Sequence, residues 1–158
     1  MPTATETLEL ADQAATKAFA GRLARLLTRG DVVTLSGDLG AGKSTLARAA
    51  IQALAGAPIE VPSPTFTLVQ IYDLSTLTVW HADLYRLNHP SEVDELDLDA
   101  AMVDGALLVE WPDRLPHGAF PDRLALHFDI VDATRRCLYL TLGFRWLDRR
   151  NSLLDGGN

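Results

Sequence analysis

The alternation of apolar and polar positions predicts strands and helices in the order typical of an α/β protein. Residues 32–35 form a short apolar run, which predicts a buried strand. A glycine-rich turn follows, and then Leu46, Ala50 and Leu54 recur at helical spacing on one face. A strand, a turn and a helix in this order predict one unit of a parallel sheet.

The N-terminal region predicts a strand and a helix ahead of this unit. Residues 7–10 (TLEL) read as a short opening strand, and Asp12 is placed to cap the helix that follows. Phe19 and Leu23 repeat at helical spacing, and Gly30 is expected to end this helix.

The C-terminal two thirds of the chain predict further strands. Three apolar stretches with strand patterning precede an antiparallel pair whose strands are separated by a turn at residues 132–134; in order, the five are TFTLVQIYDL, TLTVWHADLYRL, ALLVEW, RLALHFDIV and RCLYLTLGF. The first two are candidates for a hairpin. The last residues of the chain, DGGN, are expected to be frayed.

Composition restricts the kind of protein and its partners. The chain has 158 residues, of which 47% are hydrophobic and 22% charged, as expected for one globular domain over residues 1–158 with residues 1–7 and 148–158 frayed. No apolar run is long enough to span a bilayer, and a cytoplasmic location is expected. The formal net charge is −7, so tight binding of nucleic acid by this chain alone is not expected. Cys137 is the only cysteine, which excludes an internal disulfide.

The glycine-rich turn carries the most specific chemistry. GDLGAGKS, residues 37–44, satisfies the pattern G-x-x-x-x-G-K-[ST], which has chance odds of roughly one in two hundred in a chain of this length. Between a strand and a helix, such a loop directs backbone amides at phosphate groups. Lys43 is expected to reach the β- and γ-phosphates, and Ser44 to offer its hydroxyl to Mg²⁺.

Three other stretches supply candidates for chemistry near the phosphates. Pro62 and Pro64 hold Thr65 at the entry to a strand, where it is a candidate sensor of the γ-phosphate; the alternative is that these prolines only begin the strand. In WHADLYR, strand alternation puts His81, Asp83 and Tyr85 on one face. Either this face is functional, with Asp83 orienting water or metal, or it is an exposed strand face.

An acid also ends the apolar strand ALLVEW. Glu110 is the candidate for holding or polarising the shell of Mg²⁺, because an aliphatic strand beside the phosphate loop commonly ends in such an acid. Trp111 follows it, either packing beside a nucleotide or contributing only to the core or its rim.

Together, GDLGAGKST, SPTFTLVQIY, HADLYRL and LLVEWPDRL closely resemble the TsaE (YjeE) family of small bacterial P-loop ATPases, over most of the chain. The resemblance implies a P-loop NTPase-like, three-layer α/β fold with a mixed, mainly parallel sheet and an antiparallel C-terminal part. It implies catalytic roles for Lys43, Thr65, Asp83 and Glu110, with Ser44, Asp83 and Glu110 near Mg²⁺. The nucleotide-binding residues it implies, with Asp12 beside the adenine, are Asp12, Gly37, Asp38, Leu39, Gly40, Ala41, Gly42, Lys43, Ser44, Thr45 and Trp111. Ser44 departs from the threonine commoner in the family, but either hydroxyl can ligate Mg²⁺.

The family resemblance also implies a biological role. It implies slow ATP hydrolysis by an accessory subunit docked on the threonylcarbamoyl transferase TsaD and its partner TsaB, which modify adenosine 37 of ANN-decoding tRNAs. Contact with tRNA would be indirect, through the complex. Two alternatives stay open at this point: a small-molecule P-loop kinase, which the absence of an arginine-bearing lid disfavours, and a nucleotide-dependent binding module with incidental hydrolysis.

Overall fold

The structure is a computed structural model that describes residues 3–64 and 67–155. Within these residues seven strands form one sheet, with bounds β1 Ala4–Leu10, β2 Val32–Gly37, β3 Val69–Asp73, β4 Thr78–Asp83, β5 Gly105–Glu110, β6 Leu124–Ile130 and β7 Arg136–Leu142. The α-helices are α1 Gln13–Leu26, α2 Lys43–Ala55, α3 Asp99–Asp104 and α4 Arg150–Leu154. Short 3₁₀ segments occupy Pro90–Leu96, Pro112–Arg114 and Phe144–Arg149.

The sheet is parallel at its centre and antiparallel at both sides. Its strand order is β1-β7-β6-β2-β5-β4-β3, and β2 pairs in parallel with both β5 and β6, while β4 pairs in parallel with β5. β3 forms an antiparallel hairpin with β4, and β7 pairs antiparallel with β6 on one side and with β1 on the other. The prediction of a mixed, mainly parallel sheet with an antiparallel C-terminal part is confirmed.

Two apolar clusters cover opposite faces of this sheet. Consecutive residues of the central strands alternate between them, because successive side chains of a strand point to opposite faces. Val33 and Leu108 pack with α1 and α2, whereas Val32 and Leu107 pack with the segment that leads into α3. Helices on both faces of one sheet give the predicted three layers.

The first helix begins as the sequence predicts but ends earlier. Asp12 caps it, since its Oδ1 accepts a hydrogen bond from the amide of Ala15 at 2.9 Å. The helix ends at Leu26, because Leu27 is already extended, so the expectation that Gly30 ends it is wrong. Gly30, with φ of +95°, instead forms the turn into β2, where its amide donates to the carbonyl of Gly105.

The chain ends are more ordered than the sequence suggested. Residues 4–7 belong to β1 and pair with β7, and residues 148–154 continue through a 3₁₀ turn into α4, where Leu153 is fully buried. The expected fraying at 1–7 and 148–158 therefore fails for these residues; positions 1, 2 and 156–158 lie outside the described residues. The reason is packing against distant elements, as when Arg22 Nε donates to the carbonyl of Leu153.

A buried carboxylate ties the C-terminal segment to the start of β2. Asp31 is fully buried and accepts hydrogen bonds from Arg145 Nε at 2.6 Å, Arg149 Nη1 at 2.7 Å and the amide of Thr28 at 2.7 Å. Burial raises the pKa of Asp31, but the hydrogen bonds from Arg149, Arg145 and Thr28 outweigh it and hold the pKa below its ordinary value. The ionised carboxylate thus stabilises the fold.

No helix within residues 3–64 and 67–155 is both long and apolar enough to cross a membrane.

We expect Asp31→Asn to lower the free energy of unfolding by about 3 kcal/mol, because two guanidinium groups lose their buried anionic partner. Urea unfolding at pH 7 measures this. Asp129→Asn is the matched control, because Asp129 is half-exposed and forms its ion pair with the exposed His127. Equal losses in the two variants would contradict the role assigned to Asp31.

Acidification should erase the difference between wild type and Asp31→Asn. Since the pKa of Asp31 is lower in the folded than in the unfolded protein, its contribution is fully present above about pH 4 and is lost as the pH falls through the folded-state pKa. The difference in unfolding free energy, measured from pH 7 downward, should therefore shrink below about pH 4. A difference that grows on acidification would contradict this.

Candidate functional site

The turn between β2 and α2, residues 37–42, requires glycine at two positions for steric reasons. Gly37 has φ of +135°, and a Cβ there would lie 2.6 Å from the carbonyl oxygen of Phe128. Gly42 has φ of +124°, and a Cβ there would lie 3.3 Å from the ring of Phe128. The crowding at both positions comes from Phe128 of β6, so glycine is required there whether or not a phosphate is bound.

The beginning of α2 has the properties of an anion site. Its N-cap is Gly42, which has no side chain to accept from the first amides of the helix, and its first turn contains no acid. Unsatisfied amides and the helix dipole favour negative charge at the N-terminus of a helix. The loop that precedes α2 can therefore hold a phosphate group.

Arg136 of β7 braces this loop from the side. Its Nε donates to the carbonyl of Ala41 at 3.0 Å and its Nη2 to that of Gly40 at 3.3 Å, while its Nη1 donates to the carbonyl of Asp132 at 2.8 Å. These bonds place the guanidinium of Arg136 against two carbonyls of the loop and so help to hold its conformation. No local pattern predicts this contact, since it joins positions 95 apart in the chain through the sheet.

Lys43 is buried in the loop rather than exposed. Only 5% of its surface is accessible, and its Nζ donates to the carbonyls of Gly37 at 2.6 Å and Asp38 at 2.8 Å. The Nζ also lies 4.3 Å from the ring centroid of Trp111. Burial lowers the pKa of Lys43, and the negative charges of Glu110, Asp38 and Asp83 oppose that shift. The motif placed Lys43 in the loop but did not predict that its side chain is buried.

Trp111 lies directly after β5 in an unusual backbone conformation. Its φ is +61°, its amide donates to the carbonyl of Leu35 in β2, and its ring lies 4.8 Å from that of Tyr85. A bulky residue with positive φ is uncommon, and such strain concentrates at functional sites. The arrangement places an aromatic ring beside Lys43.

Asp83 and Glu110 meet at the carboxyl ends of two neighbouring strands. They are register partners in the pairing of β4 with β5. Their exposed fractions are 5% and 1%, and His81 is 1% exposed. The alternative that His81 and Asp83 lie on an exposed strand face is therefore wrong. Asp83 also accepts from the amide of Tyr85 at 3.0 Å.

A continuous hydrogen-bond chain runs from the first turn of α2 into the sheet. Ser44 Oγ donates to Glu110 Oε1 at 2.7 Å, and Glu110 Oε2 lies 2.7 Å from His81 Nε2. Since an ionised carboxylate only accepts, the imidazole is the donor. Strand alternation placed His81 on the correct face, but nothing in the sequence showed that Glu110 is its partner.

Two clefts flank the glycine-rich loop and share Gly40, Gly42 and Thr45. The first has a volume of about 280 Å³. Besides the three shared residues, its walls come from the loop, the start of α2, Ser63 and the segments that end or follow β4 and β5; these residues are Leu39, Lys43, Ser44, Ser63, Asp83, Tyr85, Glu110 and Trp111. The second, of about 440 Å³, contains Asp12 and Arg136. The structure thus brings the predicted site residues around one loop. Thr65 lies outside the described residues.

The oxygen atoms near Ser44 suit a metal ion carried by a nucleotide. Mg²⁺ is usually held by one or two carboxylates together with water and substrate phosphates. The site offers the hydroxyl of Ser44 and the carboxylates of Asp83 and Glu110. Within the described part of the chain, no group of three or more His, Cys, Asp or Glu side chains could hold a metal ion. The protein groups fit Mg²⁺ only as part of a larger ligand set.

Comparison with known proteins agrees with this geometry. The family model described as threonylcarbamoyl adenosine biosynthesis protein TsaE matches residues 10–138. The tRNA threonylcarbamoyladenosine biosynthesis protein TsaE of Rickettsia conorii is 35% identical over 140 residues, which cover 89% of this chain and 80% of the relative. The protein of the same name from Streptomyces coelicolor is 39% identical over 145 residues, covering 85% and 96% of the two chains.

A solved structure agrees with the fold as well. The crystal structure of YdiB from Bacillus subtilis matches with a TM-score of 0.77 and 28% identity, covering 97% of this chain and 96% of that one. The predicted fold class and the resemblance noted from the four motifs are both confirmed. This chain belongs to the TsaE family of threonylcarbamoyl adenosine biosynthesis proteins.

Proposed function

We propose that this protein binds ATP with Mg²⁺ at the glycine-rich loop and hydrolyses it slowly in support of tRNA threonylcarbamoyladenosine formation. The observation that carries the proposal is the convergence of Lys43, Ser44, Asp83 and Glu110 beside the uncapped start of α2. A phosphate cradle alone would bind an anion. Two buried carboxylates at its edge add groups that can order water and a metal ion.

The loop amides and Lys43 stabilise the negative charge that develops on the phosphates during attack by water. An ammonium group has three N–H donors, and Lys43 uses two of them on loop carbonyls. One donor remains for a phosphate oxygen. Trp111 and the surrounding carbonyls fix the Nζ in place, so little reorganisation is needed when ATP binds.

Asp83 and Glu110 order the nucleophile and the shell of the metal ion. Mg²⁺, when bound with the nucleotide, supplies charge neutralisation at the phosphate oxygens. Ser44 offers its hydroxyl as a ligand, and Glu110 accepts a hydrogen bond from that hydroxyl. Asp83 occupies the adjacent strand end, from which it can accept a proton or a hydrogen bond from water.

In the cell, the protein would act as an accessory subunit. The names of the Rickettsia and Streptomyces relatives tie them to tRNA threonylcarbamoyladenosine biosynthesis. The partners we propose are the threonylcarbamoyl transferase TsaD and its partner TsaB in the cytoplasm, with ATP hydrolysis resetting the complex. The net charge of −7 supports contact with tRNA only through the complex.

The position of the arginines disfavours the alternative of a small-molecule kinase. Arg136 is engaged on the glycine-rich loop, Arg135 pairs with Asp132, and Arg123 donates to the carbonyls of Ala119 and Phe120. A kinase of this class closes an arginine-bearing lid over the transferred phosphoryl group. These arginines serve local structure instead.

Lys43→Ala should abolish nucleotide binding while preserving the fold, because the variant loses the cation of the phosphate site but none of the apolar core of the sheet. Lys17→Ala is the matched control, since Lys17 is the other lysine of the chain and is exposed on α1. Titration with ATP by calorimetry, together with circular dichroism, measures both effects. Wild-type ATP affinity in Lys43→Ala would disprove the site.

Asp83→Asn and Glu110→Gln should each lower kcat by about 10²-fold or more, and should lower it by more than they weaken ATP affinity, because these groups act on water and the metal shell. Phosphate release at saturating ATP gives kcat. Glu95→Gln is the control, because Glu95 is exposed in the 3₁₀ segment Pro90–Leu96. An unchanged kcat with weakened affinity would assign both acids to binding alone.

The decisive experiment is ATP hydrolysis with Mg²⁺ by the purified protein, alone and with TsaD and TsaB. We expect a slow basal rate that rises when the partners are added. Phosphoryl transfer to a small acceptor would favour the kinase. Full support of tRNA modification by a non-hydrolysable ATP analogue would favour the binding module.

A further inference from the structure

His81 is a buried polar group that the proposed mechanism does not use. It lies in β4, between β3 and β5, with 1% of its surface exposed. Its Nε2 is 2.7 Å from Glu110 Oε2, whereas its Nδ1 has no hydrogen-bond partner within the described residues. The contact with Glu110 is therefore the one hydrogen bond recorded for this ring.

An apolar side chain would satisfy the packing at this position more simply. The sheet residues on the same face include Val79, Ala106 and Leu108, all fully buried in one apolar cluster. Burying a polar ring with one unpaired nitrogen among such residues costs free energy. The hydrogen bond to Glu110 is the feature that a valine or leucine could not provide.

We propose that His81 is a positioning residue that fixes the orientation of Glu110 toward the metal side of the site; this inference rests on the proposed function. A glutamate side chain has three rotatable bonds, and one hydrogen bond from Ser44 does not fix it. When His81 of β4 holds Oε2 of Glu110, the other oxygen, Oε1, points toward Ser44. Residues that hydrogen-bond to a metal ligand commonly influence metal affinity by fixing the orientation of that ligand.

Two parts of nucleotide binding should then depend on different residues. The loop amides and Lys43 bind phosphate whether or not a metal ion is present. Within residues 3–64 and 67–155, no hydrogen bond joins the ring of His81 to this loop. The gain in affinity from Mg²⁺ depends on Ser44 and Glu110. His81 should control this gain and leave metal-free binding unchanged.

His81→Asn and His81→Gln form a matched pair that tests the inference. The amide nitrogen of glutamine reaches the position of Nε2 and can donate to Glu110, whereas that of asparagine stops near the position of Nδ1. Dissociation constants for ADP are measured by calorimetry with Mg²⁺ and with EDTA, and the ratio of the two gives the metal effect. Thermal unfolding verifies that each variant folds.

We expect the affinity for ADP in EDTA to be unchanged in both variants. The gain from Mg²⁺ should fall about tenfold or more in His81→Asn and be largely retained in His81→Gln. A full metal effect in His81→Asn would overturn the inference. Equal loss of affinity with and without metal would also overturn it, because that result marks a purely structural residue.

A second measurement tests the wild-type protein without nucleotide. In ¹⁵N-labelled protein, the imidazole spectrum should show a proton on Nε2 that exchanges slowly with water and shifts in Glu110→Gln. A rapidly exchanging proton, or a spectrum insensitive to Glu110→Gln, would overturn the contact. If the wild-type protein binds no ADP with or without Mg²⁺, the proposed function fails and the metal-positioning role fails with it, while this spectrum still tests the contact between His81 and Glu110.

Discussion

The site depends above all on the parallel pairing of β5 with β2 on one side and β4 on the other. This pairing brings the carboxyl ends of three strands to one edge of the sheet. The glycine-rich loop continues from β2, Glu110 ends β5, and Asp83 ends β4. Because the backbone ladders fix these ends, the acids need no loop to carry them to the phosphate site, and their positions are as rigid as the sheet.

Burial gives the charged groups of the site their electrostatic character. Lys43, Glu110 and Asp83 are nearly inaccessible to water, so their interactions are weakly screened. Each charged group has a partner within the site: loop carbonyls and the Trp111 ring for Lys43, Ser44 with His81 for Glu110, and the amide of Tyr85 for Asp83. This internal compensation holds the groups in place without any bound ligand.

The sequence predicted the elements whose local patterns are strong. The spacing of glycines, Lys43 and Ser44 between a strand and a helix located the loop, and the acid after an aliphatic run located Glu110. The sequence could not predict contacts between distant segments. Arg136 reaches the loop, and His81 reaches Glu110, only through sheet pairings that no local pattern encodes. The burial of Lys43 was not predicted, because it depends on contact with the ring of Trp111, which lies far from the loop in the sequence.

The same limit explains the errors at the chain ends. A short polar N-terminal segment looks frayed on its own, yet β7 offers it a full ladder of hydrogen bonds. The C-terminal residues contain no recognisable motif, and their order arises from arginines that meet a carboxylate more than a hundred positions away. Local propensity does not predict the order of either chain end, since the partner that stabilises it comes from a distant part of the chain.

Asp31 stands immediately before β2, and the glycine-rich loop begins where that strand ends, roughly 20 Å away along six residues. The C-terminal arginines therefore hold the far end of the strand that carries the loop. Fold stability and the candidate functional site thus depend on opposite ends of one strand. Changes at Arg145 or Arg149 therefore offer a means of tuning the lifetime of the folded protein without altering any residue of the glycine-rich loop.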